Sequence, residues 1–184
     1  MESTTQIYLM ITPERGAVKD VRGEAMAGGY ETRIDITSFD MGFRAKENTV
    51  KGAQKPDVVG NLDWDSITIS KVFDDASLSL AGMLSRHASF EEAKIAVDQQ
   101  YVESEGEKER NEVLIISLRS GRVADYSLRT SEGKQGASMI ETVELSFHNF
   151  SVTYYAYEGE KGKLGDDYRL GRAYFESHRE EQQD

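Results

Sequence analysis

The residues able to do chemistry are few and scattered. Three histidines, His87, His148 and His178, stand far apart, and cysteine is absent. A metal centre draws on His or Cys ligands at short spacing, such as His-x-x-x-His, and the sequence offers no such pair. Carboxylates pair at Asp74-Asp75, Glu91-Glu92 and Asp166-Asp167. Adjacent residues in a strand or turn point apart, so these pairs are poorly placed for general acid–base work. There is no Gly-x-Ser-x-Gly elbow. The run Gly159–Gly165 (GEKGKLG) has glycines and lysines but lacks the phosphate-loop spacing and the hydroxyl after its lysine. Asn149-Phe150-Ser151 matches a glycosylation sequon, yet it falls inside a predicted strand. The reading is therefore of a non-enzyme with no catalytic residue, no metal ligand and no cofactor.

The elements that would position any site read as strands. Ile67 and Ile69 alternate with Thr68 and Ser70, a period of two. That strand runs through Asp74-Asp75 into one short helix, predicted over Ser77–Arg86, where Leu80, Met83 and Leu84 share a face. Asp75 or Ser77 is the predicted N-cap, and His87 suits the helix C-terminus. Further strands are predicted at Ile7–Ile11, Trp64–Val72, Lys94–Val102 and Tyr168–Phe175. Val113–Leu118 and Val123–Leu128 are expected to pair around Ser120-Gly121, and Ile140–Tyr157 to form a last long strand or strand pair. Ser89 and Glu92 fit either a capping box or the opening of a strand. Glu103–Glu112 reads as a charged hairpin tip, Thr130–Ser138 as a loop and His178–Asp184 as a frayed tail.

Two phase slips stand out. Ile34 and Ile36 set one phase, while Phe39, Met41 and Phe43 set the other. A β-bulge at Thr37-Ser38 would keep all five on one face and turn Asp35 and Asp40 away from the core. Val143, Leu145 and Phe147 give way in the same manner to Phe150, Val152 and Tyr154, with His148-Asn149 between. Paired slips predict long, strongly bent strands, as a closed barrel requires. Arg44–Asp63 has no clean period and carries Lys46, Lys51 and Lys55, the pattern of a long functional loop.

Bulk composition narrows the choices. A chain of 184 residues, 38% apolar and 30% charged, is long enough for one domain with a real core. The expectation is a single mainly β domain over residues 1–184: an antiparallel β-barrel of two bent sheets, one flanking α-helix and one long extended loop. A net charge of −11 argues against nucleic acid and against an anionic membrane surface. No apolar run approaches the ~20 residues of a membrane helix, and MESTTQIYLM lacks the pattern of a secretory signal. Absence of cysteine leaves the chain indifferent to redox compartment.

The order and spacing of several short runs resemble one family. They are Val21-Arg22-Gly23-Glu24, Ile34-Asp35-Ile36 with Phe39 and Gly42, Ile67–Leu84, Glu92–Val97, Val113–Leu118, Val123–Leu128 and Glu141–Phe147. Together they span about Ile7 to Tyr155 and are similar to the haemolysin-coregulated proteins (Hcp), tube-forming subunits of type VI secretion systems. The segment Thr12–Asp20 is longer than the family's first connection, and the region from Gly159 onward departs most. The resemblance implies a homohexameric ring, stacked into an inner tube that a contractile sheath expels with a spike at its tip. It implies secreted effectors carried in the lumen, and a protein cytoplasmic until firing and extracellular afterwards.

The resemblance also assigns residues. Asp40, which follows Phe39, matches a polar position that faces the lumen. The Arg44–Asp63 loop matches a segment that reaches a neighbouring subunit, although here it is lysine-rich where the family is glycine-rich. Its candidate contacts are Lys46, Lys51, Lys55, Val58 and Val59. Copies carrying −11 each repel, so their contacts must pair opposite charges locally. Asp74 and Asp75, or the Glu103–Glu112 tip, are the candidate acidic partners for the lysines. Two other readings remain open at this point: a phage-like tail-tube protein, and a non-catalytic monomeric binding domain.

Overall fold

The computed structural model describes residues 3–16, 21–24, 33–45, 62–102, 108–133, 136–155 and 172–178. Among the described residues, ten strands and one helix follow in chain order: β1 Ser3–Pro13, β2 Ile34–Ile36, β3 Ser38–Asp40, β4 Phe43–Ala45, β5 Leu62–Trp64, β6 Ile67–Val72, α1 Asp75–Ser85, β7 Ser89–Val102, β8 Lys108–Gly133, β9 Gly136–Tyr155 and β10 Arg172–His178. Every pairing is antiparallel. The main sheet runs β2-β1-β7-β8-β9-β6-β3, with β10 also on β9, while β4 and β5 form a separate ribbon.

The two ends of that path, β2 and β3, are consecutive pieces of one segment. Thr37 separates them, and both its backbone N–H (2.8 Å) and its Oγ1 (2.9 Å) donate to the Ser70 carbonyl. The sheet is therefore strongly curled. The slip expected at Thr37-Ser38 is present. Ile34 and Ile36 are buried and Phe39 and Met41 half-buried, whereas Asp35 and Asp40 are exposed. Phe43 departs from the expectation at 54% exposure, because it has already left the main sheet for the β4–β5 ribbon.

Alternation builds the core. Ile67 and Ile69 of β6 face Val143 and Leu145 of β9, and Leu80 and Met83 of α1 close over the same cluster with Phe90, Ile95 and Leu118. Gly23 of the Val-Arg-Gly-Glu run is buried, and any Cβ there would overlap the Arg33 carbonyl. A side chain would force those two backbones apart.

Three expectations are corrected. The segments flanking Ser120-Gly121 do not form a hairpin; β8 runs unbroken through them, with Ser120 in the left-handed region at φ 52°. Gly121 fits there because a Cβ would collide with the Phe90 ring and the Ser146 carbonyl. Second, Thr130–Ser138 is not a loop but lies mostly in strand, with β8 and β9 pairing as far as Gly133 and Gly136. Third, no register shift accompanies the slip expected at His148-Asn149, although Phe147 and Phe150 are both buried as that slip predicts; the shift lies on β8 between Val123 and Asp125, opposite Leu145 and Glu144. His148 and Tyr154 are exposed while Phe150 is buried. Ser89 opens β7 rather than a helix, and β10 supplies a strand near the one expected at Tyr168–Phe175. The Glu103–Glu112 tip falls largely outside the described residues, as does the tail beyond His178.

Candidate functional site

Two places on this scaffold are built with unusual care. One is the start of α1. The N-cap is Asp74, one residue before the expected Asp75: its carboxylate accepts from the Ala76 N–H at 2.9 Å, and the Ser77 Oγ accepts from the Asp74 N–H at 2.9 Å. This reciprocal capping box ties off free backbone donors. At the other end His87 takes φ 51°, with its N–H on the Leu84 carbonyl and that of Ala88 on the Met83 carbonyl. Those paired bonds are a Schellman closure, so His87 serves the backbone.

Beneath the helix start lies a buried ionic cluster that sequence reasoning missed. Lys71 is fully buried. Its Nζ donates to the Val72 carbonyl (2.8 Å), Asp74 Oδ1 (2.6 Å) and Ser77 Oγ (3.1 Å). An ammonium has three protons, so the Glu141 Oε1 at 2.7 Å adds an ion pair rather than a further directed bond. Tyr126 donates its hydroxyl to Glu141 Oε2 at 2.7 Å. Burial first, and then Glu141, raise the Tyr126 pKa above the usual phenol range. Strand β6, helix α1, strand β9 and strand β8 thus meet at one cation. The signal was present in the sequence: Lys71 continues the inward phase of Ile67 and Ile69, and Glu141 that of Val143 and Leu145. Opposite charges at core phase on two strands predict a buried pair.

The second place is the ribbon β4–β5, which brackets residues 46–61. Phe43 stands opposite Trp64 in register. Trp64 stacks on Phe147 (6.3 Å, 8°) and meets Phe150 edge-on (5.1 Å, 74°), while Phe43 lies 6.1 Å from Phe150. Arg44 grips both oxygens of Asp65 at 2.9 and 3.2 Å. Lys46, Lys51, Lys55, Val58 and Val59 lie outside the described residues.

Of the remaining candidates, Asp40 ends β3 opposite Thr68 and is exposed. Asp74 is bonded within its own subunit. Asp75 is exposed and close to Glu24, whose carboxyl is held above its ordinary range, chiefly by the charge of Asp75 and by the hydrogen bond that Asp75 can accept from its protonated form.

A family model described as "Type VI secretion system effector, Hcp" matches residues 8–154. The chain belongs to the Hcp family. As an Hcp protein it is a tube subunit of type VI secretion, a secreted component that assembles into an oligomer, and the family is one of structural proteins. Solved structures share the fold. A type six secretion system protein superposes at TM-score 0.71 with 18% identity, covering 92% of each chain. Hcp1 from Salmonella typhimurium gives 0.61 and 20% identity, over 84% of this chain and 89% of that one. The secreted protein Hcp3 from Pseudomonas aeruginosa gives 0.61 and 14%, over 96% and 99%. No curated protein sequence matches significantly.

Proposed function

We propose that this Hcp chain acts as a single domain that closes into hexameric rings. The rings stack into the inner tube, and a contractile sheath drives that tube out behind a spike. The subunit waits in the cytoplasm and leaves with the tube. No side chain performs catalysis; the ring's shape is the function, and its lumen carries small effectors. The observation that carries this reading is the family match over residues 8–154, on a strongly curled antiparallel sheet. Head-to-tail repetition of one contact closes a ring when the rotation fits.

Asp40, exposed and turned from the core, lines the lumen and favours basic or polar cargo. Lys46, Lys51 and Lys55, with Val58 and Val59, reach a neighbouring copy. Of the two aspartates, Asp75 is the one placed to meet a cation of a neighbouring copy, since Asp74 is already committed to Lys71. Native mass measurement with electron microscopy tests the reading: annular particles of six subunits are expected, and a monomer persisting at every concentration overturns it. Asp40→Arg should leave the rings intact and change cargo retention.

A further inference from the structure

The β8–β9 ribbon outruns the sheet that supports it. On one side β7 ends its pairing at Ser89↔Arg122, and on the other β6 ends at Val72↔Ile140. Beyond it, from Thr130↔Met139 to Gly133↔Gly136, the two strands pair only with each other, apart from the Phe73 N–H on the Met139 carbonyl. That makes an arm roughly 15 Å long at about 3.4 Å per residue. A two-stranded ribbon alone is marginal in water, and its outer backbone groups invite pairing. Of the six large apolar side chains exposed among the described residues, four gather at the root of this arm: Val72 (50%), Leu78 (73%), Leu128 (49%) and Met139 (47%).

These four divide between two faces. Cross-strand partners share a face, so Leu128 and Met139 follow Tyr126, Glu141 and Val143 onto the side that α1 covers. Phe73 donates its N–H to the Met139 carbonyl, which brings the start of α1 alongside. Leu78 and Asp75, three apart on that helix, and Glu24 complete this corner. It is apolar and anionic, with Asp75 close enough to Glu24 to raise its carboxyl. The opposite face carries Val72, Ile140 and exposed Arg129, apolar with a cation. Asp125 and Glu144 share that face, but four residues back toward the body, about 13 Å away.

The arm therefore has the carboxylates of Glu24 and of Asp75 on α1 beside one face and the cation Arg129 on the other, each next to exposed apolar surface. We propose that the β8–β9 arm is an inter-subunit joint: the Glu24–Asp75–Leu78–Leu128–Met139 corner of one copy receives the Val72–Arg129–Ile140 face of a second copy. This rests on the tube reading and adds a contact made by described strands, distinct from the 46–61 segment. The joint is heterologous, so its repetition propagates around a ring.

The chain has no cysteine, which makes directed cross-linking clean. Val72→Cys and Leu78→Cys proteins are prepared separately, checked for native circular dichroism, mixed and oxidised. A covalent mixed dimer, at least about tenfold above either protein alone, is expected. Its absence from six-fold particles overturns the joint and leaves the tube reading intact. Its absence with monomers only at every concentration overturns both. A charge swap gives the second arm. Arg129→Glu should weaken association at least about tenfold, near 1.4 kcal/mol, and adding Glu24→Arg in the same chain should restore it. Unchanged association in Arg129→Glu, or loss that Glu24→Arg leaves untouched, overturns the charge pairing.

Discussion

The β4–β5 ribbon and the β8–β9 arm are rooted by opposite chemistries. The β4–β5 stem is held by rings, with Phe43, Trp64, Phe147 and Phe150 meeting at centroid distances between 5.1 and 6.3 Å. The β8–β9 arm is held by charge, through Lys71 with Asp74, Glu141 and the Tyr126 hydroxyl behind it. Aromatic burial is tolerant: it depends on area and changes gradually as area is lost. A buried ion cluster is strict, because each member has its charge balanced only by the others. The stem can drift in sequence and still hold. The arm's root specifies one arrangement of four elements or fails.

The largest expected effect follows from that strictness. Lys71→Ala strands Glu141 and Asp74 in a dry site and should cost about 3–5 kcal/mol. Chemical denaturation with circular dichroism reads it. A double change, Lys71→Met with Glu141→Leu, removes the charges together and should recover most of the loss, since apolar replacement of a buried pair is often neutral. If the double variant is no more stable than Lys71→Ala, the root is not held by mutual charge balance and the contrast with the stem fails.

The stem should answer more mildly. Phe43 is 54% exposed, so Phe43→Ala removes only part of a buried ring and its tilted contact with Phe150. A loss of about 1 kcal/mol is expected. It should not vary between pH 5 and 8, because the stem's ring contacts involve no titrating group. A loss as large as that of Lys71→Ala would erase the distinction between tolerant and strict roots.

The same contrast explains what the sequence could disclose. The curled β architecture was legible because period-two runs and the Thr37-Ser38 slip are written in apolar spacing, which short-range physics reads directly. The helix was legible to within a residue or two; its cap falls on Asp74, whose carboxylate takes the Ala76 N–H and also serves Lys71, a buried partner three residues upstream. The arm was not legible. Thr130–Ser138 is polar and glycine-bearing, so local propensity favours a loop, whereas cross-strand pairing with a partner only a few residues away makes it strand. Gly121 misled in the same way. It reads as a turn, but it is needed because Phe90 and Ser146 press on the backbone there. Among the site candidates, the exposure of Asp40 was recoverable from phase alone. The division of labour between Asp74 and Asp75 was not, since it depends on the tertiary position of Lys71.

The smallest effect sits where the strict root meets solvent. Glu24 is fully exposed, and its carboxyl is raised above its ordinary value of 4.5 because Asp75 repels its ionised form and accepts a hydrogen bond from its protonated form. A carboxyl whose folded pKa is raised binds protons more tightly in the folded state. It therefore favours folding at low pH, and that advantage fades as pH rises from about 4.5 through the folded value. At pH 7 the full repulsion is present. Glu24→Gln keeps a hydrogen-bonding group near Asp75 and removes one charge. Its melting temperature, measured on dilute monomer, should rise slightly at pH 7 and match the parent at pH 4. A gain at both values would mean that packing rather than charge limits this corner. A loss at pH 7 would mean that Glu24 contributes more to Lys71 than it subtracts through Asp75, which would extend the ionic root to the surface and make its strictness a property of the whole face.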